Sequence, residues 1–305
     1  MKTRILVCGA GAIGGYFGGR LAQNPENEVY FLTRGQTYKN LKENGLRIKS
    51  IHGDFNINVN TVDDPGILNP EFDFIFISVK LYDNSELFKN INHLFRQGAI
   101  IVTLQNGLSG YEELENFVPE RDNLLQGICK ISSELKSDGI IHHTALGKII
   151  AGEYQGFGKD TSFRLITLLS ASSVKAVRSD NLKLDIWIKY AWNAIFNSLT
   201  ALYMISVNEL FDNENYRLQV FKLYDAVSEI AETQGVKFGE KEYRMIITDT
   251  MNLEKFQTSA YFDRRNGKKT EVWYFLSHLK SLAKKYNLNH NYFIEFSRII
   301  EKEGL

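Results

Sequence analysis

The feature that most constrains this chain is a glycine-spaced turn close to its start. Gly9-Ala10-Gly11-Ala12-Ile13-Gly14 directly follows the apolar run Ile5-Leu6-Val7-Cys8 and opens a stretch of helical character. In a strand that turns through G-x-G-x-x-G into a helix, the first glycine permits the tight turn. The second lets backbone approach a pyrophosphate, and the third packs helix against strand. The helix start then offers unbonded N–H groups and a positive dipole end to the phosphate. Glycine-rich turns also join strands to helices for structural reasons alone, so the context has to carry the reading.

That context alternates. Apolar runs at Arg4–Cys8, Glu28–Thr33, Phe72–Val79 and Ala99–Leu104 read as strands, with helices over Ala12–Gln23, Asn84–Phe95 and Tyr111–Phe117. Strands apolar throughout, separated by helices, predict a parallel sheet covered on both faces. Leu124–Ser132, Gly139–His143 and Lys148–Ala151 read as further strands, the last two forming a hairpin around Gly147, before a helix at Phe163–Ser172. Beyond Arg178 only helical patterns remain: Leu184–Tyr203, Tyr216–Gln234, Glu240–Met251, Glu271–Tyr286 and Tyr292–Lys302, with Gly235 as a C-cap. The expectation is an α/β chain, with an N-terminal Rossmann-type doubly wound domain over residues 1–178 and an all-helical domain over 179–305.

Charge removes several functions. Among 305 residues, 36 Lys and Arg balance 36 Asp and Glu, so nothing favours a generic grip on nucleic acid or an anionic membrane. No window of 18 apolar residues predicts a membrane span, and the apolar start breaks into glycines without a leader cleavage site. The two cysteines, Cys8 and Cys129, lie in apolar strand-like runs and read as reduced core thiols of a cytoplasmic protein. His142-His143 has no acidic or cysteine companion, so no metal site is expected.

The end of the second strand bears on the cofactor. An NAD enzyme usually places Asp or Glu there for the ribose 2′-hydroxyl. Here the strand ends in Thr33-Arg34, and the nearest acid, Glu28, lies at the strand's beginning. Arg34 offers a planar fork of donors to a 2′-phosphate, and Lys80 follows Val79 at the same sheet edge. Each alone could be a solvated surface charge; together they favour NADPH.

The helix from Trp187 to Tyr203 carries Lys189, Asn193 and Asn197 at i, i+4 and i+8 among Trp, Ile, Ala, Phe and Leu. These three drift by only about 80° and share one face. The pattern fits either a solvated stripe or a polar cavity whose groups need partners. In a cavity facing a reduced nicotinamide, Lys189 could stabilise the alkoxide that hydride creates on a ketone oxygen and give it a proton.

Taken together, these residues resemble the ketopantoate reductase (2-dehydropantoate 2-reductase) family along nearly the whole chain. The resemblance rests on Gly9-x-Gly11-x-x-Gly14, Thr33-Arg34, Val79-Lys80, Gln105-Asn106-Gly107, Trp187-x-Lys189 with Asn193 and Asn197-x-Leu199-Thr200-Ala201, and Thr270-Glu271. It implies NADPH-dependent reduction of a small-molecule 2-oxo acid, ketopantoate, to pantoate for pantothenate and coenzyme A. It implies Lys189 as proton donor, Asn193 and Asn197 as substrate contacts, and Asn106 as a contact of both cofactor and substrate. Ser259 falls on a contact of the substrate carboxylate, and Glu271 on a catalytic acid near the substrate hydroxyl and nicotinamide. Arg34 and Lys80 fall on 2′-phosphate contacts, with Gly9, Ala10, Gly11, Ala12, Ile13 and Gly14 as the phosphate loop.

Bland readings exist for several of these positions. Asn106-Gly107 is a common turn pair, and Glu271 could be an ordinary first-turn helix acid. The chain also departs from the family at Ser133-Glu134-Leu135, Ser198, Val207 and Val272-Trp273, which bears on the substrate more than on the reaction class. A same-scaffold reductase of another branched 2-oxo acid and a non-catalytic NADP(H) sensor are the competing functions. The apolar surface of the helical half suits either its own core or a homodimer interface.

Overall fold

The computed structural model describes residues 1–68, 71–95, 98–253 and 256–305. The chain divides into two units, Met1–Gln105 with Gly110–Leu182, and Asn106–Ser109 with Lys183–Leu305.

The first unit runs β1 (Thr3–Cys8), α1 (Ala12–Gln23), β2 (Asn27–Leu32), α2 (Gly35–Asn44), β3 (Leu46–Ser50), β4 (Phe55–Ile57), β5 (Asn60–Val62) and β6 (Phe74–Ile77). It continues with α3 (Asn84–Phe95), β7 (Ile100–Thr103), α4 (Ser109–Leu114), β8 (Leu124–Gln126), β9 (Ile128–Leu135), β10 (Ile140–Ala151), α5 (Lys159–Ala171) and β11 (Lys175–Arg178). Six of these strands form a parallel sheet in the order β5-β2-β1-β6-β7-β8. Counted along the sheet's own strands, that is the Rossmann order, and its direction reverses between β1 and β6. Both faces are buried: Ile5, Val7, Phe31 and Phe76 on one side, Leu6, Cys8, Ile75 and Ile77 on the other. The unbroken apolar runs of β1, β6 and β7 follow from that double burial.

A second sheet, β11-β10-β3-β4 with β9 on the other edge of β10, was not anticipated. The expected hairpin around Gly147 is corrected. Residues on both sides of Gly147 belong to the one strand β10, which pairs antiparallel with β9 from Ile141↔Leu135 to Ile150↔Ile128 and is irregular between His143 and Lys148. A hairpin would send Lys148–Ala151 back along the strand; instead Gly147, at φ 98°, absorbs a bulge beneath the Tyr16 hydroxyl. Similarly, the run read as one strand at 124–132 is split into β8 and β9, in different sheets.

Helix α1 packs between these sheets, which explains its two Gly-Gly pairs. A Cβ at Gly18 would lie 2.7 Å from the Phe31 ring, and one at Gly19 2.8 Å from Leu46. One at Gly15 would lie 2.2 Å from Ile141. Each side of the helix touches a sheet through a glycine.

The second unit is helical: α6 (Leu182–Trp192), a π-turn at Asn193–Asn197, α7 (Ser198–Tyr203), α8 (Val207–Asp212) and α9 (Glu214–Thr233). Then follow α10 (Glu240–Tyr243), a π-turn at Arg244–Thr248, α11 (Asp249–Met251), α12 (Ser259–Arg265), α13 (Val272–Lys285) and α14 (Asn291–Lys302). Its core holds Trp187, Phe196, Phe275, Leu279 and Phe293. Among the described residues no helix is long and apolar enough to cross a membrane.

Candidate active site

In the first unit the glycine turn is built as its spacing predicts. Gly9 has φ 95°, a conformation an L side chain resists, and a Cβ there would lie 3.0 Å from the Val79 nitrogen. At Gly14 a Cβ would lie 2.1 Å from the Gly9 carbonyl oxygen and 2.0 Å from Ser78 Oγ. Ser78 Oγ holds the turn, 2.9 Å from the Cys8 carbonyl and 2.8 Å from that of Gly9. Gly11 is the N-cap of α1 and, as a glycine, brings no side chain to the helix's first N–H groups. Among the described residues, a Cβ at Gly11 would meet nothing within 4 Å. The result is an open cradle before a helix N-terminus, which suits the pyrophosphate of a dinucleotide. Ala10 is buried behind it, and Ala12 and Ile13 form the half-buried first turn of α1.

Arg34 follows β2 and is exposed; Lys80 follows β6 and is half-buried. Both stand at the carboxyl edge where such sheets bind ligands. Sequence reasoning missed what surrounds Arg34. One Nη lies 2.5 Å from Asp83 Oδ1 and the other 3.2 Å from Glu86 Oε2. The Asp83 carboxylate holds the guanidinium pKa above its ordinary value, with Glu86 adding to it. The one available signal was that Asp83 lies three residues beyond Lys80. Behind this edge, buried Gln105 donates from Nε2 to the Val79 carbonyl at 2.8 Å and to Asn84 Oδ1 at 2.6 Å, fixing the ends of β6 and β7 together.

In the second unit the helix from α6 to α7 settles the stripe. Asn193 and Asn197 are 6% and 3% exposed, so the solvated reading fails for them, while Lys189 is half-buried. Four residues overshoot an α-turn by about 40°, but fall short of a π-turn, closed by i→i+5 bonds, by roughly 30°. The step from Lys189 to Asn193 is α-helical and the step to Asn197 crosses the π-turn, so the drifts nearly cancel. By that turn geometry the three positions fall closer to one face than an all-α helix would place them. Asn193 Nδ2 and Asn197 Oδ1 are shielded from solvent without a hydrogen-bond partner among the described residues. One donor and one acceptor left so would each cost about 1–3 kcal/mol.

Tyr190, beside Lys189, is a junction that the sequence did not reveal. Its hydroxyl donates to the Phe275 carbonyl at 2.9 Å and lies 2.8 Å from His278 Nδ1, tying α6 to α13. Gly107, at φ 80°, seats the Asn106-Gly107 turn on the same rings: a Cβ there would lie 3.3 Å from Tyr190 and 3.4 Å from Phe275. The pair is therefore a turn, and one that brings Asn106 into the unit that holds Lys189.

Glu271 is the N-cap of α13, yet its carboxylate makes no capping bond to the first turn, and the residue is only 8% exposed. A helix-start acid would cap or face water. A buried carboxylate instead requires specific partners. Ser259 is exposed at the first turn of α12. The preceding Thr258 Oγ1 lies 2.7 Å from Thr200 Oγ1, and Arg264 donates to the Ala201 and Leu202 carbonyls at 2.6 and 2.8 Å. Ser259 thus rides on an element tied to the end of α7. At the departures from the family pattern, Val207 is fully buried, whereas Asn208 Oδ1 is shielded without a partner among the described residues.

Comparison with known proteins finds a family match in each unit. Residues 5–156 match the family described as ketopantoate reductase PanE/ApbA, and residues 181–300 match its C-terminal family. The 2-dehydropantoate 2-reductase of Nostoc sp. is 26% identical over 277 residues, covering 89% of this chain and 86% of that protein. The crystal structure of 2-dehydropantoate 2-reductase from Geobacter metallireducens superposes with a TM-score of 0.89 at 27% identity, covering 98% of this chain and 99% of the other. A ternary structure of D-mandelate dehydrogenase with NADH and anilino(oxo)acetate shares the fold, with a TM-score of 0.88 at 21% identity, covering 99% and 98%.

Proposed function

The chain belongs to the ketopantoate reductase family, and we propose that it reduces 2-dehydropantoate to pantoate with NADPH in the cytoplasm. It is an oxidoreductase that uses a nicotinamide cofactor. The observation that carries the substrate reading is the aligned stripe, with Lys189 followed by two buried carboxamides whose Asn193 Nδ2 and Asn197 Oδ1 lack partners among the described residues. For the cofactor, the support is the cradle at Gly9–Gly14 with Arg34 and Lys80 at the neighbouring strand ends. Cys8 and Cys129 are both buried in apolar surroundings, which suits reduced core thiols in a reducing compartment.

Bound NADPH supplies a hydride to the ketone carbon. Lys189, as the ammonium, donates a hydrogen bond to the ketone oxygen and gives it a proton as the alkoxide forms, later regaining one from water. Asn193 and Asn197 fix the substrate with one donor and one acceptor. Glu271 accepts from the nascent hydroxyl, Asn106 orients both reactants, and Ser259 meets the carboxylate. Ketone, NADPH and one proton become alcohol and NADP⁺.

The test is a panel of 2-oxo acids followed by NADPH absorbance. Ketopantoate should give the highest kcat/KM. A higher value for another branched 2-oxo acid would replace the substrate, and tight NADPH binding with no turnover on any would replace the enzyme by a sensor.

A further inference from the structure

The ion cluster at the ends of β2 and β6 has a consequence for cofactor choice, and it rests on the reading of Arg34 as the 2′-phosphate residue. Asp83 is fixed by its own backbone, whose N–H donates to the Lys80 carbonyl at 2.9 Å, and Glu86 stands in the first turn of α3. Their carboxylates take both arms of the Arg34 fork. That fork is what a phosphate would use in a bidentate contact. A phosphate displacing the carboxylates gives up little in the displaced pairs, because exposed ion pairs are weak. The two negative charges nevertheless stay within a few ångströms of an incoming dianion. A ribose 2′-hydroxyl meets the opposite situation, since it carries no charge and can donate to a carboxylate.

We propose that Asp83 and Glu86 are specificity-determining residues that restrain the preference for NADPH over NADH, by occupying the Arg34 fork and opposing a 2′-phosphate while tolerating a 2′-hydroxyl. The acid expected at the end of the second strand of an NAD-binding domain is missing from β2, and here the turn after β6 supplies its charge. Arg34 and the two acids act against each other, and the balance between them sets the ratio.

The experiment is a titration of the intact protein with NADPH and with NADH, read by nicotinamide fluorescence at low ionic strength. Asp83→Asn with Glu86→Gln should tighten NADPH roughly five- to twentyfold and leave NADH within about twofold. Half-molar salt should shrink that gain. Asp83→Asn alone, which keeps the first-turn acid of α3, should give the same direction at about threefold. Unchanged NADPH affinity, or equal changes for both cofactors, would overturn the proposal. Arg34→Ala separates the underlying reading: weaker NADPH with unchanged NADH upholds Arg34 as the 2′-phosphate residue. If Arg34→Ala spares both cofactors, that reading fails whatever the acid variants do.

Discussion

The two units build their proposed ligand sites by opposite means. The first removes side chains: at Gly9, Gly11 and Gly14 the absence of a Cβ permits the turn, leaves the cradle open and lets α1 close on Ser78, just after β6. Its chemistry is that of backbone N–H groups and a dipole. The second keeps polar side chains where apolar ones would pack better, with Asn193, Asn197 and Glu271 nearly covered. A substitution in the first therefore acts through shape, and one in the second through lost functional groups.

The largest expected effect strikes the second unit. Lys189→Ala should lower the maximal rate of ketone reduction by roughly 10²–10⁴-fold with NADPH affinity nearly unchanged. A parent rate on every accepted 2-oxo acid would end its role as acid. The corresponding blow to the first unit is Gly14→Ala, which drives a methyl into the Gly9 carbonyl. It should cost about 1–3 kcal/mol of stability, read as a lower Tm, and weaken the cofactor. Gly11→Ala is the sharper control: its methyl meets nothing within 4 Å among the described residues, so Tm should hold while cofactor affinity falls. If both variants alter Tm equally, the contrast between a packing glycine and a cradle glycine is wrong.

Glu271→Gln should lower turnover by about tenfold at unchanged Tm, the scale of one hydrogen bond to a charged group. A helix-start role would show the reverse, a lower Tm with normal kinetics. The smallest effect is one of stability alone. Burial of the His143 ring in the second sheet lowers its pKa below the ordinary 6.5, against the opposing bond to the Ala145 carbonyl. The neutral form is the folded one, so its contribution is complete above about pH 6.5 and is lost as pH falls below that value. Urea midpoints at pH 7.5 and 5.5 should show the drop, and His143→Gln should flatten it.

Spacing along the chain disclosed much of this architecture. The glycine turn, β1, β6, β7 and the helical second half were legible because each depends on local periodicity or on double burial. The second sheet was not, since Leu46–Ser50 is short and half-exposed and finds its partners about 90 residues away at Ile140–His143. The π-turn could not be read either: nothing in Asn193–Asn197 separates it from an α-turn, and its widening is set by packing. From the residues alone Glu271 reads first as a helix-start acid, and only the fold, which buries it without a capping bond, speaks against that. Asp83 lies 49 residues from Arg34, and no pattern joins them.

The position of α1 between two sheets limits what variation can do. A helix on a sheet's outer face can slide or tilt to accept a larger side chain, giving way toward solvent. This one has Phe31 on one flank and Ile141, Leu46 and Ile48 on the other, each approached across a glycine. It has no direction of retreat. A change along its length is either accommodated by a neighbour's rotamer or passed to the turn at its head. Tuning of the proposed nucleotide site would therefore fall to the strand ends at Arg34, Lys80 and Asp83, where side chains project from the rim and can be exchanged without moving the frame.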